Sequence, residues 1–241
     1  MIRKIIAIGG GEISKGETLT IDKRIIELSG KPHPKVLFIP TASSDNEAYC
    51  QKFSKYYGEK LGGKVSTLLL YSNPKTISKK EIENKILNTD IIYVGGGNTL
   101  KMMKLWRRLG IDKLLEKAWK RGIVLCGISA GAICWFESGH SDSMSFYNSK
   151  KWDYVKVRGL GFVKGIMCPH YNSGTNGVPR ERKFQEMIKK TGGTGIAIDE
   201  GCAVEFTDKS YKIISNKPKL GAYEIRRNEG KVIEGRMRNH T

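Results

Sequence analysis

The chain of 241 residues reads as an α/β protein: a mostly parallel, doubly wound sheet with helices on both faces and antiparallel strands toward its C-terminal end. Three observations carry that expectation. Short apolar runs alternate with amphipathic stretches as far as residue 200. The apolar runs are continuous, as in strands buried on both faces. After Glu200 the helical period disappears, and short strand-like runs divided by turn residues take its place.

In order, the first run is KIIAIG at 4–9, leaving through Gly9, Gly10 and Gly11; an amphipathic helix at 19–28 follows. KVLFIP at 35–40 is the second strand, 47–61 a helix, and VSTLLLY at 65–71 the third strand. A helix at 79–87 leads to DIIYVGG at 90–96, and a basic helix over 99–120 to GIVLCGI at 122–128. Beyond it come a short helix at 130–137, GIMCPH at 165–170, a helix at 180–190 and GIAIDE at 195–200. The final runs AVEFT, YKIIS, AYEIRR and KVIEG, the last two parted by Asn228 and Gly230, are antiparallel strands extending the sheet edge. No linker, repeat or low-complexity tract interrupts them, so one domain over 1–241 is expected.

Composition narrows the function classes. A hydrophobic content of 39% supports a real core, and no segment approaches the run of about 18 apolar residues that spans a membrane. The chain opens on Met1, Ile2, Arg3 and Lys4 without the h-region of a secretory signal, and its five scattered cysteines suit reduced thiols; a cytoplasmic location is expected. The formal charge of +18 is compatible with attraction to polyanions. Its basic residues spread over several elements without a nucleic-acid motif, which favours a solvated surface. Gly9, Gly10 and Gly11 do not complete the G-x-G-x-x-G pattern of a dinucleotide site.

In such sheets ligands bind beyond the carboxyl ends of the strands. Those exits carry Gly9–Gly11, then Pro40 to Ser44, then Gly95 to Asn98, then Ser129, His170, and Asp199 with Glu200. Gly127-Ile128-Ser129-Ala130-Gly131 fits the G-x-S-x-G elbow, in which a sharp strand-to-helix turn lifts a serine oxygen out of the sheet. The amide of Ala130, at a helix start, and those of the Gly95–Gly97 turn, Gly96 and Gly97 in particular, suit an oxyanion hole. Among four histidines, His170 has the strand-end position a general base needs; His33 lies at the other end, His240 near the terminus, and His140 in a polar run that could line the cleft. A carboxylate must orient the base, and Glu200 and Asp142 both qualify. In a regular strand Asp199 points to the opposite face, and Cys126, three positions before the serine, belongs to the core.

Together FIPTAS at 38–43, YVGGGNT at 93–99, GISAGA at 127–132, Pro169-His170 and IDEG at 198–201 resemble the S51 serine peptidases. That family contains aspartyl dipeptidase (peptidase E) and cyanophycinase, with a class I glutamine amidotransferase-like fold. The resemblance implies a Ser-His-Glu triad on Ser129, His170 and Glu200, an oxyanion hole on Gly96, Gly97 and Ala130, acyl transfer, and neither metal nor organic cofactor. It also implies a small acidic peptide as substrate, with Arg180, or Arg182 beside it, meeting an N-terminal aspartate. A cyanophycinase-like hydrolase of β-aspartyl peptides and a basic nucleic-acid or polyanion-binding protein are the alternatives. The basic, aromatic stretch at 145–159 departs from the dipeptidase pattern and suits a cleft wall or a homodimer contact.

Overall fold

The computed structural model describes residues 2–71, 77–208 and 210–240. Its strands are β1 (Lys4–Ile8), β2 (Lys35–Ile39), β3 (Lys64–Thr67), β4 (Ile91–Val94), β5 (Val124–Ile128), β6 (Phe136–Ser141), β7 (Val155–Arg158), β8 (Val163–Cys168), β9 (Gly174–Thr175), β10 (Val178–Pro179), β11 (Thr194–Ile198), β12 (Cys202–Thr207), β13 (Tyr211–Ser215), β14 (Ala222–Asn228) and β15 (Lys231–Arg236). Its helices are α1 (Leu19–Leu28), α2 (Glu47–Ser54), α3 (Lys79–Leu87), α4 (Thr99–Leu109), α5 (Ile111–Lys120), α6 (Ala130–Ile133) and α7 (Arg180–Thr191).

The α/β class expected from the sequence is present, with the strands divided between two main sheets. The first has the order β13-β12-β1-β5-β4-β2-β3 and the second β15-β14-β11-β8-β6-β7, while β9 and β10 form a small hairpin. In the first sheet β1, β5, β4, β2 and β3 run parallel, and β12 adds to β1 antiparallel. In the second, β8 is parallel to both β6 and β11.

Alternation along each strand sorts the core into layers. Ile6 and Ile8 of β1, with Phe38 and Tyr93, face α1 and α2, while Ile5 and Ala7, with Leu37 and Val94, face α3 to α6 and the second sheet. The outer face of the second sheet packs Ile166, Cys168 and Ala197 against Phe184 and Ile188 of α7. Beneath α2, Phe53 stacks on Phe38 at 4.0 Å and on Tyr57 at 4.4 Å, with Tyr93 tilted 4.9 Å away.

Two segments differ from expectation. The stretch read as a helix over 130–137 is one short turn, α6, followed at once by β6, which starts the second sheet. The segment FESGHS has little intrinsic strand preference and buries serines and a histidine, so neither composition nor period marks it. The basic helix over 99–120 breaks at Gly110, whose φ of 72° ends α4 in the left-handed conformation before α5. Its cations are partly engaged with the chain itself: Lys117 pairs with Glu83, and Arg107 donates to the carbonyls of Arg158 and Gly159. Among the described residues no helix is long and apolar enough to cross a membrane.

The aromatic stack should dominate the stability of the first layer. Phe53→Ala is expected to lower unfolding free energy by about 3–5 kcal/mol, read from urea denaturation; a change below about 1 kcal/mol would mean that the stack contributes little.

Candidate active site

The glycine-rich end of β1 organises the site. Three successive carbonyls there accept backbone N–H groups from three segments: Ile8 from Ser129 at 3.1 Å, Gly9 from His170 at 2.9 Å, and Gly10 from Gly201 at 2.9 Å. Ser129 follows β5 of the first sheet, while His170 follows β8 of the second. The expectation that serine and histidine leave the same sheet is therefore corrected. The cause is β6, which carries the chain from the first sheet into the second before β8 forms. Glu200 and Gly201 lie where the chain returns, between β11 of the second sheet and β12 of the first. The three side chains named from the sequence thus gather at a seam between two sheets.

Ser129 has φ 56° and ψ −113°, a conformation that L residues rarely adopt, and it occupies the N-cap of α6. Its neighbours must be small. A Cβ at Gly127 would lie 2.2 Å from the Gly131 carbonyl oxygen, and one at Gly131 would lie 2.1 Å from that of Val94. These contacts let the turn close as tightly as the G-x-S-x-G pattern requires. Ala130 opens α6, so its N–H has no acceptor within the helix. Gly96 packs against Ser129, a Cβ built on it lying 3.5 Å from the serine Cβ, and its N–H is only weakly held, 3.5 Å from the Tyr49 hydroxyl. Gly97, at φ 136°, passes so close to Ala42 that a Cβ would lie 2.3 Å from that carbonyl oxygen.

His170 also has a positive φ, 52°. Its Nδ1 lies 2.7 Å from Oε1 of Glu200, whose backbone N–H is in turn held at 2.9 Å by Oδ1 of Asn172. An ionised carboxylate can only accept, so this contact assigns the hydrogen to Nδ1 and leaves Nε2 as the ring's acceptor. The hydrogen bond from His170 holds the Glu200 carboxyl below its ordinary value, against the opposing effect of partial burial. Among the described residues the Ser129 hydroxyl makes no hydrogen bond with the ring. The contact that joins the pair is through β1, whose adjacent carbonyls fix both backbones.

The remaining candidates are placed elsewhere. Asp142 is engaged by Arg180, whose Nη2 donates to Oδ2 at 2.9 Å, and by the Thr175 hydroxyl at 2.8 Å. Of the two carboxylates left open by the sequence, Glu200 is the one against His170. Arg180, the first residue of α7, is buried: it donates also to Thr175 and to the carbonyl of His140, and lies 4.8 Å over the Tyr154 ring. Arg182 is exposed and pairs with Glu186, away from this cluster. Asp199 points away from His170, accepting from the Gly221 amide and the Tyr223 hydroxyl, as strand alternation requires. Cys126 is core, its thiol pushed far above its ordinary value by burial. His33 meets the Gly62 carbonyl, and His240 bridges to Tyr211.

His140 does not line an open cleft. It is fully buried, stacked on Tyr154 at 4.2 Å with Phe184 tilted 5.3 Å away, and burial pushes its pKa down to about 3, helped by Arg180 and Lys183. The stretch at 145–159 supplies this wall through Tyr154 and β7. Sequence reasoning missed Asn172, Thr175 and Tyr154, which support the site through hydrogen bonds and ring contacts. Nothing in their local pattern marks them; only the position of Asn172, two residues after His170, offered a hint.

The family comparison matches Peptidase family S51 over residues 5–214. The chain belongs to this family. Among S51 relatives, the "Uncharacterized peptidase YgaJ" of Bacillus subtilis is 36% identical over 236 residues, covering 97% of this chain and 96% of its own. A "Peptidase E" of Nostoc is 22% identical over 196 residues, covering 78% and 75%. The fold is shared with the crystal structure of a peptidase from an acI-B1 Actinobacterium, at TM-score 0.69, 19% identity and 98% coverage of both chains. A putative peptidase E from Listeria monocytogenes gives TM-score 0.66 at 22% identity, covering 90% of this chain and 100% of that one. The S51 assignment makes the protein a peptidase and accounts for its fold.

Two measurements probe this arrangement. A Cβ on Gly10 would lie 2.4 Å from Nδ1 of His170 and 2.9 Å from Cγ of Glu200, so Gly10→Ala must displace the pair. Peptide hydrolysis is expected to fall by roughly 100-fold in a protein that still melts cooperatively; full activity would show that the pair's placement is immaterial. The second concerns acid stability. The folded protein disfavours protonated His140, whereas the unfolded chain protonates near its ordinary value of 6.5, so this contribution is complete above that pH and is lost as pH falls toward about 3. His140→Gln should flatten the stability profile in that window; an unchanged slope in urea melts from pH 7 to pH 4 would contradict the assignment.

Proposed function

We propose that this S51 peptidase hydrolyses short peptides through an acyl-enzyme on Ser129, with His170 as general base and acid and Glu200 as its orienting carboxylate. The observation that carries this reading is the strained Ser129 turn held on Ile8, beside the carbonyl of Gly9 that holds His170, whose ring is bound to Glu200. In the reaction Nε2 of His170 takes the hydroxyl proton as Oγ attacks the scissile carbonyl. The amides of Ala130, Gly96 and Gly97 receive the oxyanion, the imidazolium returns its proton to the leaving amine, and water repeats the cycle to release the acid.

Arg180 is the proposed contact for an acidic first residue of the substrate. Its guanidinium is buried, with Nη1 and Nη2 donating to His140, Thr175 and Asp142, so its part in this reading is a positive charge behind the site. On this basis the preferred substrate is a dipeptide beginning with aspartate.

A fluorophosphonate should label the wild-type protein at Ser129, and Ser129→Ala should lose label and at least about 10⁴-fold in hydrolysis. Glu200→Gln should reduce kcat by roughly 10³- to 10⁴-fold with the labelled position unchanged. In a dipeptide panel varied at the first residue, Arg180→Ala should erase the preference for aspartate. Label at another serine, or hydrolysis surviving in Ser129→Ala, would refute the assignment.

A further inference from the structure

Along the sequence the basic residues are spread over several elements, but the fold gathers the last four arginines around one cleft. Arg226, Arg227, Arg236 and Arg238 line a space of about 790 Å³, and among the described residues that line it Glu224 is the only acid. The cleft lies between the edges of the two sheets. The segment after β15 forms its far wall by bonding to both: the Met237 amide donates to the Ala222 carbonyl at the start of β14, and His240 exchanges two backbone bonds with Tyr211 of β13, at 2.9 and 3.0 Å. Among the described residues none of the lining side chains is hydrogen-bonded to Ser129, His170 or Glu200.

Strand alternation decides which face of the hairpin is open. In the β14–β15 pair Ile225 packs against Phe184 and Ile188 of α7, with Tyr223 and Val232 beside it, so Glu224 and Arg226 turn to the other side, opposite Gly235 and Ile233. That side is left uncovered, and Ile233 is 52% exposed. Its positive charge stays largely uncompensated. Arg236 Nη2 donates to the carbonyls of Pro218 and Leu220, both at 2.9 Å, and Arg227 Nη1 to that of Lys189 at 3.2 Å; carbonyls hold a guanidinium in place without neutralising it. Arg226 meets Glu224 at 2.7 Å, but those side chains are 62% and 36% exposed, and an exposed pair is readily exchanged for a stronger anion. On the far wall the rings of Tyr211 and His240 lie 5.8 Å apart, tilted by 33°.

We infer that this cleft binds single-stranded nucleic acid, as a site independent of the chemistry at Ser129. Guanidinium forks pair with phosphate oxygens through two parallel bonds, and arginines already held by carbonyls lose little freedom in doing so. A phosphodiester chain supplies the repeated anions that four arginines call for, and its bases supply flat faces for the rings of Tyr211 and His240 and for exposed Ile233. An acidic polypeptide satisfies the arginines alone and leaves those rings without a partner. A duplex is read by a protruding helix or ribbon, whereas a concave basic cleft takes one strand.

The test uses the full-length protein and fluorescence anisotropy with a labelled thymidine oligomer of about 12 nucleotides. Binding is expected with a dissociation constant on the order of micromolar at low salt, and the log of affinity should fall against log salt with a slope of roughly −2, as for about three phosphates neutralised. An abasic oligomer of the same length should bind at least about fivefold more weakly. Arg226→Glu/Arg238→Glu should weaken binding at least about tenfold, against less than about threefold for Lys52→Glu/Lys55→Glu, two exposed cations at the end of α2. Both variants should melt cooperatively and hydrolyse peptides as the wild type does. No binding, a flat salt dependence, equal affinity for the abasic oligomer, displacement by polyglutamate of equal charge, or equal loss in the two double variants would overturn the inference. The salt and abasic comparisons use the wild-type protein, so they decide the matter even if the charge-reversed variant fails to fold.

Discussion

The site depends on the backbone of β1 where it leaves the first sheet. Three consecutive carbonyls, those of Ile8, Gly9 and Gly10, point at three incoming amides, and the distances between those amides are set by the geometry of one extended chain. Side-chain contacts between Ser129 and His170 are not needed to hold the pair in register. A further β1 bond, from the Gly9 amide to the Cys202 carbonyl, locks the returning strand β12 beside the same exit. Glycine is required here by space. A Cβ on Gly9 would lie 2.2 Å from the Asp199 carbonyl oxygen, and Gly10 is pressed against the imidazole and carboxylate themselves. The triple glycine that superficially suggests a nucleotide loop is instead a place where three backbones and two functional side chains converge.

Convergence is achieved at the expense of relaxed backbone. Ser129 and His170 both occupy the positive-φ half of conformational space, where a non-glycine residue is strained by about 1–3 kcal/mol. Such strain persists only when the surroundings over-determine it. Around Ser129 the over-determination comes from Gly127 and Gly131, which allow strand and helix to touch backbone to backbone, and from the bond to Ile8. Around His170 it comes from the bond to Gly9 and from that of Tyr171 to the Ile198 carbonyl. The result is a hydroxyl and a ring presented at the seam of two sheets by segments too tightly held to relax.

Behind the seam lies a polar cluster with unusual burial: Arg180, His140, Asp142, Thr175 and the Tyr154 ring. An arginine at this depth is tolerated because Asp142 neutralises it and three groups accept its hydrogens, while His140 beside it stays neutral. The cluster joins the stretch at 145–159 to the loop after His170 through Tyr154, whose hydroxyl donates to the Val178 carbonyl and accepts from the Thr175 amide. The stretch at 145–159 is thereby tied to the polar cluster and to the segment that follows His170.

The alternation of continuous apolar runs with amphipathic helices determined the α/β class, and the small residues around Ser129 determined the tight turn, because both are local effects of period and side-chain size. Position alone also marked His170 and Glu200 as rim residues, since strand ends in such folds are where chemistry is presented. Tertiary structure decided the rest. FESGHS became a strand only because β7 and β8 offered it hydrogen-bonding partners on both sides, and with it came the division into two sheets. The choice of Glu200 over Asp142 as the partner of His170 followed from which carboxylate the seam brings to the ring and which Arg180 captures. The burial of Arg180, at the start of a helix that looks solvated by charge, was settled by the distant Tyr154 and Asp142. These are contacts between residues far apart in the chain, and their energies depend on a geometry that no local pattern encodes.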